Sequence, residues 1–99
     1  MQKITYNATF EYAEDGINIL FPDIPGAISC AFDRDEAMFM AKDVLELVLH
    51  GSKFSELPKA TDFSSAQDKV EIIPITIEME LKDGVLYGAN VIERQNQAD

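Results

Sequence analysis

Phe21-Pro22-Asp23-Ile24-Pro25-Gly26 restricts the possible folds of this chain more than any other stretch. Pro22 and Pro25 each lack a backbone N–H, and each holds φ at about −65°. Gly26 can take a conformation closed to other residues. No sheet ladder can run through such a segment. It is a stiff corner, and the chain on both sides must fold around it.

The flanks of the corner read as strands. Ile4, Tyr6, Ala8, Phe10 and Tyr12 alternate with Thr5, Asn7, Thr9 and Glu11. That period of two, in β-branched and aromatic residues, predicts a half-buried strand. Glu14-Asp15-Gly16 is a hairpin turn signal. Ile17, Ile19 and Phe21 mark a second strand, which Pro22 ends, and a third short strand is expected over 27–32.

Asp33 then offers an N-cap, with Glu36 placed for a capping box. Asp35 and Glu36 suit the positive end of the helix dipole. The predicted helix runs from Arg34 to His50, and Gly51 closes it. Ala37, Ala41, Val44, Leu45 and Val48 centre its apolar face, flanked by Met38, Leu49, Met40 and Leu47. The arc covers about 200°, wider than a typical surface-helix stripe. Phe39 stands instead among Asp35, Lys42, Asp43, Glu46 and His50. An aromatic on a polar face is either a scattered exposed residue or a contact for a second chain.

Residues 52–69 show little periodicity and form a long connection, helical in part near 62–68 and anchored at Leu57-Pro58. A strong strand follows from Val70 to Leu81, in which Pro74 calls for an edge position or a bulge. Lys82-Asp83-Gly84 is a turn. Residues 85–92 suit a fifth strand or a short helix, and 93–99 form a polar tail expected to fray. The reading is one α+β domain over 1–81, with a short, partly disordered extension over 82–99. Its β-β-β-α-β core is an antiparallel sheet with one main helix on one face.

Ninety-nine residues suffice for one modest core. No apolar run is long enough to span a bilayer, and Met1-Gln2-Lys3-Ile4 opens no signal peptide. Cys30 is the sole cysteine, expected to be a small buried thiol between Ile28 and Phe32, and the expected compartment is the cytoplasm. The formal net charge is −10. Residues 1–81 hold six Lys/Arg against fifteen Asp/Glu, and 82–99 hold two against three. This balance opposes direct nucleic-acid binding, which draws on basic patches. It serves solubility, or a basic protein partner steered in by complementary charge.

Catalytic signatures are absent from the sequence: there is no P-loop, GxGxxG or GxSxG. His50, the only histidine, sits where an imidazolium would suit the helix C-terminus. Asp15, Asp23, Asp33, Glu36 and Glu78 are the carboxylates that a Mg²⁺-dependent nuclease would recruit, but turn, cap and strand-face roles account for them. No metal or other cofactor is expected.

Taken together, Tyr6-Asn7-Ala8-Thr9-Phe10, Glu14-Asp15-Gly16, the Phe21–Gly26 corner, Asp33-Arg34-Asp35-Glu36-Ala37 and Ala41-Lys42-Asp43-Val44-Leu45-Glu46 resemble the HicB antitoxin family over about residues 4–80. The resemblance implies a partial RNase H-like fold without catalysis. It also implies an antitoxin of a type II toxin–antitoxin system, which binds a small basic HicA-type toxin that cleaves mRNA. Many members carry a C-terminal DNA-binding domain. Here eighteen residues follow Leu81, slightly negative in charge, so a short member without that domain is expected. Alternatives are a stand-alone HicB-like oligomer and a metal-dependent RNase H-like nuclease. Asp15, Asp23 and Asp33, at turns and ends around Pro22, Pro25 and Gly26, are expected to form an acidic toxin-binding rim. Phe39, Met40 and Leu47 are expected to form the interface of a homodimer or higher oligomer.

Overall fold

The computed structural model describes residues 1–62 and 68–92. Residues 63–67, the middle of the helical stretch expected near 62–68, and the tail over 93–99 lie outside them. The elements are β1 (Gln2–Ala13), β2 (Gly16–Leu20), β3 (Ile28–Ala31), α1 (Arg34–Leu49), a 3-10 turn (Phe54–Glu56), β4 (Val70–Lys82) and β5 (Val85–Tyr87). The strands form one antiparallel sheet in the order β3-β2-β1-β4-β5. The first three make the expected meander, and α1 carries the chain across one face to β4.

Alternation in β1 and β4 sets the core. Ile4 pairs with Ile77, Tyr6 with Ile75 and Ala8 with Ile73, all facing the helix and all buried. Phe10 and Ile19 extend that layer across β2. Ala37, Ala41, Leu45 and Leu49 supply the buried stripe of α1. The small side chains of Ala37 and Ala41, one turn apart, let the helix lie close on the sheet. Val44 and Val48, expected at the centre of that stripe, are only half-buried and pack at its margin. On the opposite face of the β1–β4 ladder, the Thr5 and Thr76 hydroxyls lie 2.8 Å apart.

The proline corner is two successive β-turns. Ile24 N donates to Phe21 O (3.0 Å) and Ala27 N to Ile24 O (3.1 Å), so each turn has a proline at its second position. Gly26 takes φ +87° at the third position of the second turn, which only glycine adopts without strain. The prolines face solvent, while Phe21, Ile24 and Ala27 are buried. The corner therefore plugs the core as well as turning the chain.

Asp33 caps α1, its Oδ1 accepting from Glu36 N at 2.8 Å. The return bond of the capping box is displaced by one residue, because Glu36 Oε1 accepts from Phe32 N (2.7 Å). Pro74 breaks no ladder: β1 and β4 stay in register from Gln2↔Met79 to Glu11↔Val70. The other side of β4 is unpaired at that level among the described residues, since β5 joins only Glu80, Leu81 and Lys82. Pro74 thus marks an edge and not a bulge.

Both alternatives left open for 85–92 occur in succession. Val85–Tyr87 is a strand, and residues 89–92 are helical. This segment is tied to the body on both sides. Gly51 N donates to Leu86 O (2.8 Å), Leu86 N to Ser52 O (2.9 Å) and Phe54 N to Gly84 O (2.8 Å). Glu46, read from sequence as part of a solvent face, is buried. It accepts from Asn90 N (2.9 Å) and Asn90 Nδ2 (3.1 Å). Replacing Glu46 by Ala should cost about 1–3 kcal/mol through the unsatisfied amide of Asn90. Chemical denaturation checks this, and an unchanged midpoint would remove Glu46 from the account of the C-terminal segment.

A second tie joins β4 to the start of α1. Arg34 Nη2 lies 3.0 Å from Glu71 Oε2, and Tyr12 Oη donates to Glu71 Oε1 (2.5 Å). The Arg34 hydrogen bond, then that of Tyr12, holds the Glu71 carboxyl below its ordinary value. Its contribution is therefore full above the ordinary carboxyl value and lost as pH falls through the lowered one. The pair is solvent-exposed, so the effect is small. The gap in Tm between wild type and Glu71→Gln should close on acidification; a gap independent of pH would contradict the linkage.

Candidate protein-interaction site

The antiparallel order of β1, β2 and β3 decides which turns become neighbours. Ile17 pairs with Ala31, so the β1–β2 hairpin carrying Asp15 lies beside the end of β3 and the start of α1. Gly16 permits this approach: a Cβ there would stand 2.6 Å from Ala31 O. Asp15, Gly16, Ile17, Asn18, Cys30, Ala31, Phe32 and Glu36 line a shallow groove of about 200 Å³. Asp33, Asp35 and Glu36 follow at the helix N-terminus, all exposed. Two of the three rim aspartates, Asp15 and Asp33, thus share one acidic end of the molecule. Asp33 also serves there as the helix cap.

Asp23 does not join them. It follows β2, whereas Asp15 precedes it, so the two occupy opposite ends of that strand. Asp23 Oδ2 accepts from Thr61 N (2.8 Å). Tyr6 Oη donates to Pro58 O, and Asn7 Nδ2 to Thr61 O (3.2 Å). Burial, then the nearby Asp23 charge, pushes the Tyr6 phenol above its ordinary value. Asp23 is therefore part of the anchor that holds residues 57–61 against the sheet. The expectation of three aspartates clustered around the proline corner is corrected to one acidic end beside the β1–β2 hairpin.

The largest departure from the sequence reading is β3. Cys30 is exposed and not the buried thiol expected between two apolar neighbours. Ile28 is 64% exposed and Phe32 84% exposed, with Leu20 of the adjacent strand at 43%. The residues turned inward are Ala27 and Ala31, both buried. Because α1 packs directly on β3, that strand takes small residues inside and leaves its large ones outside. The signal was the alternation of alanines with Ile28, Cys30 and Phe32.

On α1, Phe39 is 66% and Leu47 50% exposed, while Met40 is half-buried against the core. These three do not make one exposed patch. His50 caps the helix through its backbone, N donating to Glu46 O (3.0 Å), while its ring turns to the C-terminal segment: Nδ1 accepts from Gly88 N at 3.0 Å, and Tyr87 meets the ring edge-on. Among the described residues, no three His, Cys, Asp or Glu side chains converge as metal ligands. Among the same residues, no helix is long and apolar enough to cross a membrane.

Comparison with known proteins bears on this arrangement in two ways. No protein-family model matches the chain. A stretch of 44 residues, 44% of the chain, is 41% identical to Antitoxin HicB 2 of Photorhabdus laumondii, and it spans 32% of that antitoxin's length. The fold matches a chain of a toxin–antitoxin complex from Streptococcus pneumoniae with a TM-score of 0.62, over 99% of this chain and 91% of that one, at 17% identity. This chain is accordingly HicB-like in sequence over those 44 residues, and its α+β fold is that of a chain in a solved toxin–antitoxin complex.

Proposed function

We propose that this chain is an antitoxin that neutralises a small, basic, RNA-cleaving toxin of HicA type by covering its RNA-binding surface. The 41% identity to Antitoxin HicB 2 carries the reading. The net charge of −10 and the grouping of Asp15, Asp33, Asp35 and Glu36 at one end supply its physical content. A surface built to hold phosphates is attracted to that end, mostly as a gain in association rate. The action is stoichiometric and involves no bond-making by this chain. It acts on the toxin, and the isolated chain does not bind DNA at physiological salt.

The direct test titrates this chain into an RNA-cleavage assay of the toxin encoded by an adjacent reading frame. Cleavage should fall to zero at a fixed molar ratio; undiminished cleavage at excess antitoxin would refute the reading.

A second measurement concerns the acidic end. Exposed charge pairs contribute only ~0–1 kcal/mol each, so single substitutions should slow association little. A combined Asp15→Asn, Asp33→Asn, Glu36→Gln variant should associate visibly more slowly at low salt, with the difference shrinking as salt rises. Asn at position 33 keeps the helix cap, so charge is what changes. Wild-type association by the triple variant at low salt would move the toxin contact elsewhere.

A further inference from the structure

We propose that two copies of this chain pair β3 to β3 about a two-fold axis at Cys30, joining their sheets into one continuous antiparallel sheet.

The two edges of the sheet are treated differently. The β4 edge carries Pro74, is flanked by Glu78 and Glu80, and is capped at one end by β5. Prolines and charges are the ordinary means of keeping an edge unpaired. The β3 edge has none of them. Residues 24–32 contain no charge, in a chain that is 26% charged, and β3 runs from Ile28 to Ala31 without a bulge.

Backbone accounting narrows the occupant. Phe21 N donates to Ala27 O (3.1 Å), so residues 27, 29 and 31 present their polar groups to β2. Ile28, Cys30 and Phe32 present theirs to the side that no other strand pairs among the described residues. Ile28 N already donates to Gly26 O (3.0 Å), and Phe32 N to Glu36 Oε1 (2.7 Å). The Cys30 N–H and C=O lie between them, directed outward. An added peptide strand would need a row of outward donors. A second copy needs only this pair, because a two-fold axis turns one donor and one acceptor into two reciprocal hydrogen bonds.

The side chains fit the same axis. Ile28 of one copy falls opposite Phe32 of its partner on both sides of the paired cysteines. Leu20 extends the apolar strip on the same face. The symmetry also separates charge. Asp33 lies three residues from Cys30, so the two acidic ends stand ~20 Å apart along the strands, more than twice the ~8 Å screening length at physiological salt. The helices leave from these opposite ends, and each acidic end stays open for a toxin.

The test uses the full chain without toxin, so its outcome is independent of the antitoxin reading. Under reducing conditions, sedimentation equilibrium at high micromolar concentration should show a dimer. Ile28→Lys and Phe32→Lys should raise its dissociation constant by about tenfold or more, with Tm unchanged when measured at dilutions where the wild type is monomeric, since both positions are exposed in the single chain. Paired Cα atoms about 5.5 Å apart are within disulfide reach. Mild oxidation should therefore give a covalent dimer that Cys30→Ser abolishes while leaving the reduced dimer intact. A monomer at these concentrations overturns the proposal. So does a dimer insensitive to both lysine substitutions, which would seat the second copy on α1 at Phe39 and Leu47. If the chain is monomeric and the lysine variants lose toxin instead, the edge belongs to the toxin and only the antitoxin reading stands.

Discussion

The pairing of β1 with β4 is the constraint on which the rest of the structure depends. It joins the first strand to one that begins 57 residues after β1 ends, and it continues without interruption from Gln2↔Met79 to Glu11↔Val70. Closing so long a loop carries an entropic cost before any contact returns it. The return comes from Ile73, Ile75, Ile77 and Met79, which bury beside Ile4, Tyr6 and Ala8. A slip of one residue would turn that whole set to solvent. With this ladder in place, α1 has a surface to lie on, and Tyr6 and Asn7 have the 57–61 segment to hold.

The corner and the β3 edge are consequences of the same packing. Two proline turns reverse the chain in six residues and push Ile24 into the core, which brings β3 back along β2. Space between β3 and α1 is then short, and Ala27, Ala31, Ala37 and Ala41 fill it. Large side chains have no room inside and appear on the outer face as Ile28 and Phe32. The exposed apolar ridge is thus what close helix–strand packing leaves over, and it lies on an edge with no charge to repel a partner.

Acidic side chains collect beside the apolar ridge, where Asp15 and Glu36 line one groove with Phe32. The hairpin and the helix N-terminus gather Asp15, Asp33, Asp35 and Glu36 at one end, where the exposed amides of the first helical turn favour them. Asp23 and Glu46 belong to a different class of acidic residue, spent on Thr61 and Asn90 to tie down irregular backbone. Asp33 and Glu36 do both, each accepting a backbone hydrogen bond at the start of α1 while staying exposed.

Local chemistry alone determined much of the protein. Strict alternation in 4–12 and 70–81 specified strands, Asp33 and Gly51 bounded the helix, and Pro22, Pro25 and Gly26 specified a turn, because each is a property of a few adjacent residues. The HicB-like motifs were legible for the same reason. Only the tertiary structure decided what depends on distant neighbours. Glu46 is buried because Asn90 arrives beside it from the other side of β5, forty-four positions along the chain. The His50 ring accepts a hydrogen bond at Nδ1 because Gly88 N points at it. Cys30 is exposed because α1 claims the opposite face of a four-residue strand too short for its period to be read. Asp23 parts from Asp15 because successive antiparallel strands send their ends to opposite sides of the sheet, a result of topology that no local pattern contains.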